Sequence, residues 1–186
     1  MDAPTMGRCQ WATAGDATMQ AYHDTEWGIP EHSDRKLFEM LTLEGAQAGL
    51  SWRTVLMRRD AYREAYHGFD IARVAAMTDA DLEALLAGSG LIRNRLKIYS
   101  VRENARVALT VGSLDRFLWS LAPNAPVVNR WTDPSQVPAT TATSDLMSKT
   151  LRKKGFRFVG STICYAFMQA NGMVNDHPTT CFRHGA

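Results

Sequence analysis

The sequence lacks the features that mark secreted, membrane-spanning and disordered proteins. Its three cysteines are too few for a disulfide framework, so we expect a cytoplasmic protein with reduced thiols. No apolar run approaches the roughly 18 residues that a membrane span requires. The opening MDAPTMGRCQW lacks the apolar region of a secretory signal. The formal net charge of +2 by itself indicates no particular partner.

The chain does have enough apolar residues for a core. Of its 186 residues, 45% are hydrophobic and 22% are charged, which is typical of a globular protein. The length fits a single domain over residues 1–186. No stretch alternates polar and apolar residues as a half-buried strand would, and no repeat stands out. We therefore predict an all-α fold.

An acidic residue interrupts the apolar stripe of the helix predicted after Lys36. A carboxylate on a core-facing stripe is costly unless something compensates its charge. Glu44 either lies at the edge of the stripe or pairs with a buried arginine, or it lines a cavity that binds a cationic or hydrogen-donating ligand. The residues on this helical face are Leu37, Met40, Leu41, Glu44 and Ala48.

A turn with an apolar tip follows this helix. Gly49 allows a tight turn, which leaves Leu50 protruding, and Ser51 can cap a next helix that begins at Trp52. We expect that helix to continue to about His67.

A helical hairpin with basic residues is predicted over residues 79–111, with Gly-Ser-Gly between its helices. Free N–H groups at the start of its second helix could face a phosphate. The alternative is an ordinary αα-hairpin, because Ile92 stands where such DNA-binding hairpins often have a second glycine. The basic residues at this end are Arg93, Arg95 and Lys97.

Two further helices are predicted in the second half of the chain. The first runs from about Arg93 to Val111 with Leu96, Tyr99 and Val107 inward. The second is capped by Ser144 and ended by Gly155.

Two pairs of metal-ligating residues lie near opposite ends of the chain. Cys9 and His23 are near the start, whereas His177 and Cys181 are near the end. Together they could form a closed tetrahedral zinc site. The alternative is chance, because the spacing differs from that of compact zinc fingers. Cys164 lies in an apolar helix and is interpreted as a core residue.

Aromatic residues are frequent in the first third of the chain, near Glu44. Core packing explains most aromatic residues. An aromatic box with one carboxylate would also bind a flat cationic ring by stacking, cation–π attraction and a charge-assisted hydrogen bond. The residues concerned are Trp11, Tyr22, Trp27 and Trp52.

Several long strings in this order resemble a known family. They are RCQW (8–11), AYHDTEWGIP (21–30), KLFEMLTLEGAQAGLSW (36–52), SGLIRNRLKI (89–98) and KKGFRFVGSTICYAFMQANGMVNDH (153–177). On these strings the chain resembles the 3-methyladenine DNA glycosylase I family of bacterial base-excision repair enzymes.

The resemblance implies a helix-hairpin-helix DNA glycosylase-like domain and a role for each candidate residue. Glu44 would be the catalytic pocket carboxylate that binds the methylated base. Tyr22 and Trp52 would pack on that base, and Trp11 and Trp27 would wall the pocket. Gly49 and Leu50 would enter the duplex, and the hairpin with Gly90, Arg93 and Arg95 would bind phosphates. Cys9, His23, His177 and Cys181 would bind a structural zinc that joins segments 1–30 and 172–186.

The implied activity is hydrolysis of the N-glycosidic bond of 3-methyladenine in alkylated double-stranded DNA. The base would be flipped into the pocket by a monomeric, monofunctional enzyme, with free 3-methyladenine as the product and no membrane partner. Two departures stand out. Met19 occupies a position that is aromatic in some members, and the catalytic Asp of the wider superfamily has no counterpart between Leu82 and Leu114. The alternative hypothesis is a non-catalytic, zinc-stabilised helical nucleic-acid-binding module.

Overall fold

The computed structural model describes residues 7–12, 15–88 and 90–186 and is mostly helical, as predicted. None of its helices is both long and apolar enough to cross a membrane. The α-helices of the described part are α1 Ala17–Thr25, α2 Asp34–Gln47, α3 Trp52–Leu56, α4 Arg59–Ala65, α5 Ile71–Ala75, α6 Asp79–Ala87, α7 Arg95–Val111, α8 Leu114–Trp119, α9 Ala142–Lys154 and α10 Ser161–Ala170. Short 3-10 turns cover Gln10–Ala12, His67–Phe69 and Pro134–Gln136.

Side-chain caps set the start of most helices. Ser33 caps α2, Ser51 caps α3, and both accept a hydrogen bond from a backbone N–H in the first turn. Thr78 and Asp81 form a reciprocal capping box at the start of α6. Gly155 ends α9 with φ of +104°, in the left-handed region that favours glycine.

Helix α2 is the centre of the fold. It is buried on all sides from Leu37 through Ala46, because α3, α7, α8 and α10 pack around it. The single apolar stripe predicted for this helix is therefore too narrow, and Ala48, placed on that stripe, is exposed beyond the helix end. Glu39, also buried, forms ion pairs with Arg59 and Arg63.

Three helix predictions need correction. The helix expected from Trp52 to His67 is broken into α3 and α4. Thr141 caps α9, and Ser144 is its partner in a capping box. Leu96, predicted to face inward, is 72% exposed, because α7 is capped by Asn94 and turns another face to the core. That face carries Ile98, Val101, Ala105 and Ala108.

Short backbone pairings bring distant segments together and are the exception to an all-α fold. Strand β1 (Val127–Val128) pairs in parallel with β2 (Val174–Asn175). A bridge between Gly7 and Cys181 joins the beginning of the described chain to its end. Gly172, at φ of +69°, packs on the 29–30 turn so closely that a Cβ would lie 2.3 Å from the Pro30 nitrogen. A side chain at 172 would push these segments apart.

Candidate active site and metal centre

A cavity of about 220 Å³ opens beside α2. Because α1, α2, α3 and α10 each contribute side chains, the site depends on the whole helical packing. Its walls are mainly aromatic, with one carboxyl group and two carboxamides among them. The lining residues are Trp11, Met19, Tyr22, Trp27, Glu44, Gln47, Trp52, Ala166 and Gln169.

The carboxyl group is that of Glu44. It is 4% exposed, and its Oε2 has no hydrogen-bond partner among the described residues. Burial raises the pKa of Glu44 to about 8, and no neighbouring cation opposes this effect. The predicted alternative of a buried arginine partner is wrong for Glu44. Its Oε2 has no partner in the described part of the chain, and the residue lines the cavity wall.

The four predicted aromatic residues lie together around this carboxyl group. The ring centroids of Trp11 and Trp27 are 5.1 Å apart, and those of Tyr22 and Trp52 are 5.2 Å apart. Burial and the nearby Glu44 raise the pKa of Tyr22 well above its ordinary value. The Trp52 indole N–H is buried and unpartnered in the described structure. The cavity thus combines flat apolar walls with an unused donor and an unused acceptor.

The turn after α2 has the predicted apolar tip. Gly49 adopts φ of +78°, and Leu50 is 41% exposed. Lys97 fixes the base of this turn, since its Nζ donates to the carbonyls of Ala46 (2.9 Å) and Ala48 (2.7 Å). The grouping of Lys97 with the phosphate-facing arginines is therefore wrong. Its charge stabilises the C-terminal end of α2.

Helices α6 and α7 lie in the predicted hairpin region and contact each other, and Ser89 in the connection between them lies outside the described residues. Arg93 donates from Nε to the Gly88 carbonyl (3.3 Å). Arg95 instead pairs with Glu83 (2.5 Å) and stacks on Tyr99. A Cβ on Gly90 would lie 2.9 Å from Ala61 Cβ, so close packing against α4 already requires glycine there.

The four predicted metal-ligating residues come together and are all buried. Their ligand atoms lie within 4.8 Å of one another. His177 Nδ1 is 3.3 Å from Cys9 Sγ and 3.4 Å from Cys181 Sγ, and His23 Nε2 is 3.3 Å from Cys181 Sγ. Tetrahedral zinc with ordinary Zn–S and Zn–N bonds would place sulfur and nitrogen roughly 3.5 Å apart. The cluster therefore fits a zinc ion.

The surroundings of the cluster suit metal binding as well. Burial lowers the pKa of His177 to about 4, which keeps the imidazole neutral. Burial and the facing Cys181 raise the pKa of Cys9, because a thiolate there has no counter-charge, and a divalent cation would supply one. His177 Nε2 also lies 3.2 Å from the Trp27 carbonyl, so the cysteine–histidine cluster and the aromatic cavity share a wall.

Sequence reasoning missed the two carboxamides of the cavity. Gln47 follows Glu44 by three positions on α2, and this i, i+3 spacing places both on one face. Gln169 likewise follows Tyr165 by four positions on α10. A polar residue three or four positions from another on an otherwise apolar helix is the sequence feature that could have indicated Gln47 and Gln169.

Known proteins resemble this chain over most of its length. The family model described as methyladenine glycosylase matches residues 11–184. DNA-3-methyladenine glycosylase 1 of Escherichia coli (strain K12) is 49% identical over 180 residues, which covers 95% of this chain and 96% of that protein.

Solved structures match as well. A crystal structure of 3-methyladenine DNA glycosylase I has a TM-score of 0.92 and 49% identity, and the match covers 96% of this chain and 100% of the other. The Staphylococcus aureus enzyme, in a structure described as the basis of its 3-methyladenine recognition, has a TM-score of 0.91 at 31% identity, with 96% of this chain and 97% of the other covered. The chain therefore belongs to the methyladenine glycosylase family.

Proposed function

We propose that this chain, acting as one monomeric domain, hydrolyses the N-glycosidic bond of 3-methyladenine in alkylated double-stranded DNA. The observation that carries the proposal is the buried, unpartnered carboxyl group of Glu44 in an aromatic cavity. A protein that only bound nucleic acid would gain nothing from a carboxyl group without a partner, whose burial costs free energy. An extruded cationic base supplies the missing partner.

The substrate itself lowers the barrier. Methylation at N3 gives adenine a positive charge in the nucleotide, so the glycosidic bond is weakened and the leaving base needs no protonation. The enzyme has to extrude the nucleotide, hold the base and let water reach the sugar. Glu44 would stabilise the cationic base by a charge-assisted hydrogen bond, while Tyr22 and Trp52 pack on its ring and Trp11 and Trp27 enclose it.

No lysine is among the described residues that line the cavity. Lys97, the buried lysine on α7, is held by backbone carbonyls at the end of α2. An amine nucleophile for a Schiff base is therefore missing from the described site. We infer a monofunctional hydrolase that releases free 3-methyladenine and does not cut the DNA strand.

A zinc ion held by Cys9, His23, His177 and Cys181 would be structural. All four positions of a tetrahedral ion would be filled by protein ligands, so none is left for water or substrate. The ion would cross-link the two ends of the chain and, through the His177 contact to Trp27, steady one wall of the cavity.

The exposed Leu50 would enter the duplex, and the α6–α7 hairpin would bind it separately as a helix-hairpin-helix motif. Leu50 would fill the space that the extruded nucleotide leaves, while the N-terminal end of α7 and Arg93 would hold phosphates. Arg95 would contribute less than Arg93, because Glu83 already neutralises its charge.

The first test is the pH dependence of cation binding. We would titrate 3,9-dimethyladeninium, which keeps the charge of the base in the nucleotide, and follow tryptophan fluorescence. Because Glu44 must lose its proton to pair with the cation, affinity should rise about tenfold per pH unit below pH 8 and level off above it. Glu44→Gln should give a flat profile and, at high pH, lose about 1.5–3 kcal/mol of binding free energy.

Neutral adenine is the control ligand for this titration. The charge contribution is absent there, so the variant should lose much less affinity for adenine. A Glu44→Gln protein that binds the cation as tightly as wild type at pH 9 would place the base elsewhere.

The second test separates phosphate binding from extrusion. Arg93→Glu should weaken binding to damaged and undamaged duplexes alike and flatten the salt dependence. Leu50→Ala should instead slow excision more than it weakens binding to undamaged DNA. Arg116→Glu, an exposed charge reversal on α8, is the matched control and should change neither. Equal losses of undamaged-duplex affinity for Leu50→Ala and Arg93→Glu would exclude Leu50 as a wedge.

A further inference from the structure

We call the cavity lined by Glu44 and the aromatic residues the base cavity. A buried carboxylate lies behind it, and each of its two oxygens accepts two hydrogen bonds. Asp176 is 3% exposed. Its Oδ1 accepts from Asn129 Nδ2 (2.6 Å) and Trp131 Nε1 (2.7 Å). Its Oδ2 accepts from the Tyr165 hydroxyl (2.6 Å) and from Gln169 Nε2 (2.7 Å). Asp176 thus connects the C-terminal segment to helix α10 and to the residues that follow β1.

This arrangement fixes the orientation of one carboxamide in the cavity. Gln169 presents its nitrogen to Asp176, since Nε2 lies 2.7 Å from Oδ2 and a carboxylate oxygen is a hydrogen-bond acceptor. Turning the amide over would place its oxygen against a carboxylate oxygen. Oε1 is therefore the polar atom of Gln169 that Asp176 leaves available, and no described residue donates a hydrogen bond to it.

Gln169 stands between two cavities. It lines the base cavity together with Glu44, and it also lines a neighbouring cavity of about 300 Å³ that includes Asp176. Because Nε2 is engaged by Asp176, Oε1 is the polar atom of this side chain that a ligand in the base cavity could use. A base bound there would meet it as a hydrogen-bond acceptor.

We propose that Gln169 Oε1, oriented by Asp176, accepts a hydrogen bond from the 6-amino group of the extruded base and so selects 6-amino over 6-oxo purines. The inference rests on the proposed function. A 6-oxo purine would place its O6, which is also an acceptor, against Gln169 Oε1, and these two buried oxygens would repel each other. Glu44 cannot supply this selectivity alone, because near neutral pH its carboxyl group can either donate or accept. Gln169 is a specificity-determining residue, and Asp176 is a positioning residue.

The experiment compares two free bases that differ only at position 6, 3-methyladenine and 3-methylhypoxanthine. Wild type should bind the 6-amino base more tightly. Gln169→Met keeps the side-chain length but removes the oxygen, so affinity for 3-methyladenine should fall about tenfold while that for 3-methylhypoxanthine does not fall. Gln20→Met, on the outer part of α1, controls for the change of residue type and should keep the wild-type ratio.

A second variant tests whether Asp176 acts through Gln169. Asn at position 176 can donate as well as accept, so Asp176→Asn lets the Gln169 amide turn over and present its nitrogen to the base. The preference for 3-methyladenine over 3-methylhypoxanthine should then fall in Asp176→Asn. The same substitution should cause no further change in protein that already carries Gln169→Met. Equal loss of preference in both backgrounds would give Asp176 a structural role only and overturn its positioning role.

The outcomes separate this inference from the proposed function. Melting curves first establish that each variant is folded. If wild type binds neither base and releases none from methylated DNA, the proposed function fails. If wild type binds 3-methyladenine selectively and folded Gln169→Met keeps the same selectivity, the proposed function stands and the role of Gln169 is overturned.

Discussion

Cys9→Ala and Cys181→Ala should each abolish stoichiometric zinc binding and lower the melting temperature far more than an ordinary core substitution. Binding free energy on the order of 10 kcal/mol is coupled to folding at structural zinc sites. That is comparable with the whole stability of a typical domain. The two cysteines belong to opposite ends of the chain, so losing the ion releases the Gly7–Cys181 bridge and the segment behind Trp27.

Cys164→Ala is the matched control. Its thiol is equally buried, but it lies in α10 with the Val159 carbonyl as its hydrogen-bond partner and takes no part in the cluster. It should keep one zinc per chain and lose only the ordinary 1–2 kcal/mol or so of a core truncation. Metal analysis and melting curves with and without a chelator decide the matter. Protein that carries no stoichiometric metal, or that melts unchanged in chelator, would refute the zinc assignment.

Glu44→Gln should become progressively more stable relative to wild type as the pH rises. Burial raises the pKa of Glu44 from 4.5 to about 8, so the folded protein holds this proton more tightly than the unfolded chain. Wild type therefore loses stability as pH rises from the unfolded value to about 8, on the order of 5 kcal/mol in all, and loses no more above it. Glutamine does not ionise, so the variant escapes this loss.

Denaturant unfolding at a series of pH values tests this expectation. The stability of the variant minus that of wild type should increase by about 2–3 kcal/mol between pH 6 and pH 9. Any cost of burying the glutamine amide is independent of pH and leaves this difference intact. A constant difference across the range would mean that the carboxyl group of Glu44 is already paired or hydrated.

Glu39→Gln, a substitution on the same helix, should make the protein less stable than wild type. Its carboxylate is buried and pairs with Arg59 and Arg63, so removing the charge leaves Arg59 with Glu26 and Arg63 with Asp60 as their remaining partners. The loss of these charged hydrogen bonds should destabilise the protein at neutral pH by about 1–3 kcal/mol. Two buried carboxylates on α2 thus serve opposite purposes, since one stabilises the fold and the other is held at a cost that ligand binding can recover.

Local signals in the sequence account for where several helices begin. Asp16, Ser33, Ser51 and Asp70 each cap the helix that follows, because short polar side chains satisfy free N–H groups wherever the fold lies. Glu44 attracted attention for a similarly local reason, since it interrupts an apolar helix. The grouping of Cys9 and His23 with His177 and Cys181 came from residue chemistry and from family resemblance.

The remaining features depend on contacts between distant segments. The orientation of α7 could not be predicted, because Leu96 and Ile98 are equally apolar and only the packing decides which is buried. Lys97 looks like a phosphate ligand until the end of α2 is placed beside it. The Asp176 cluster joins residues from 129 to 176, and no periodic pattern connects them.

Release of free base from methylated duplex DNA is the most direct test of the central claim. DNA treated with a methylating agent would be incubated with the zinc-loaded protein, and the released bases separated by chromatography. We expect 3-methyladenine in the soluble fraction, intact strands until the abasic sites are cleaved chemically, and much slower release by Glu44→Gln. Protein that binds the duplex through its hairpin yet releases no methylated base would contradict the account and leave a nucleic-acid-binding module.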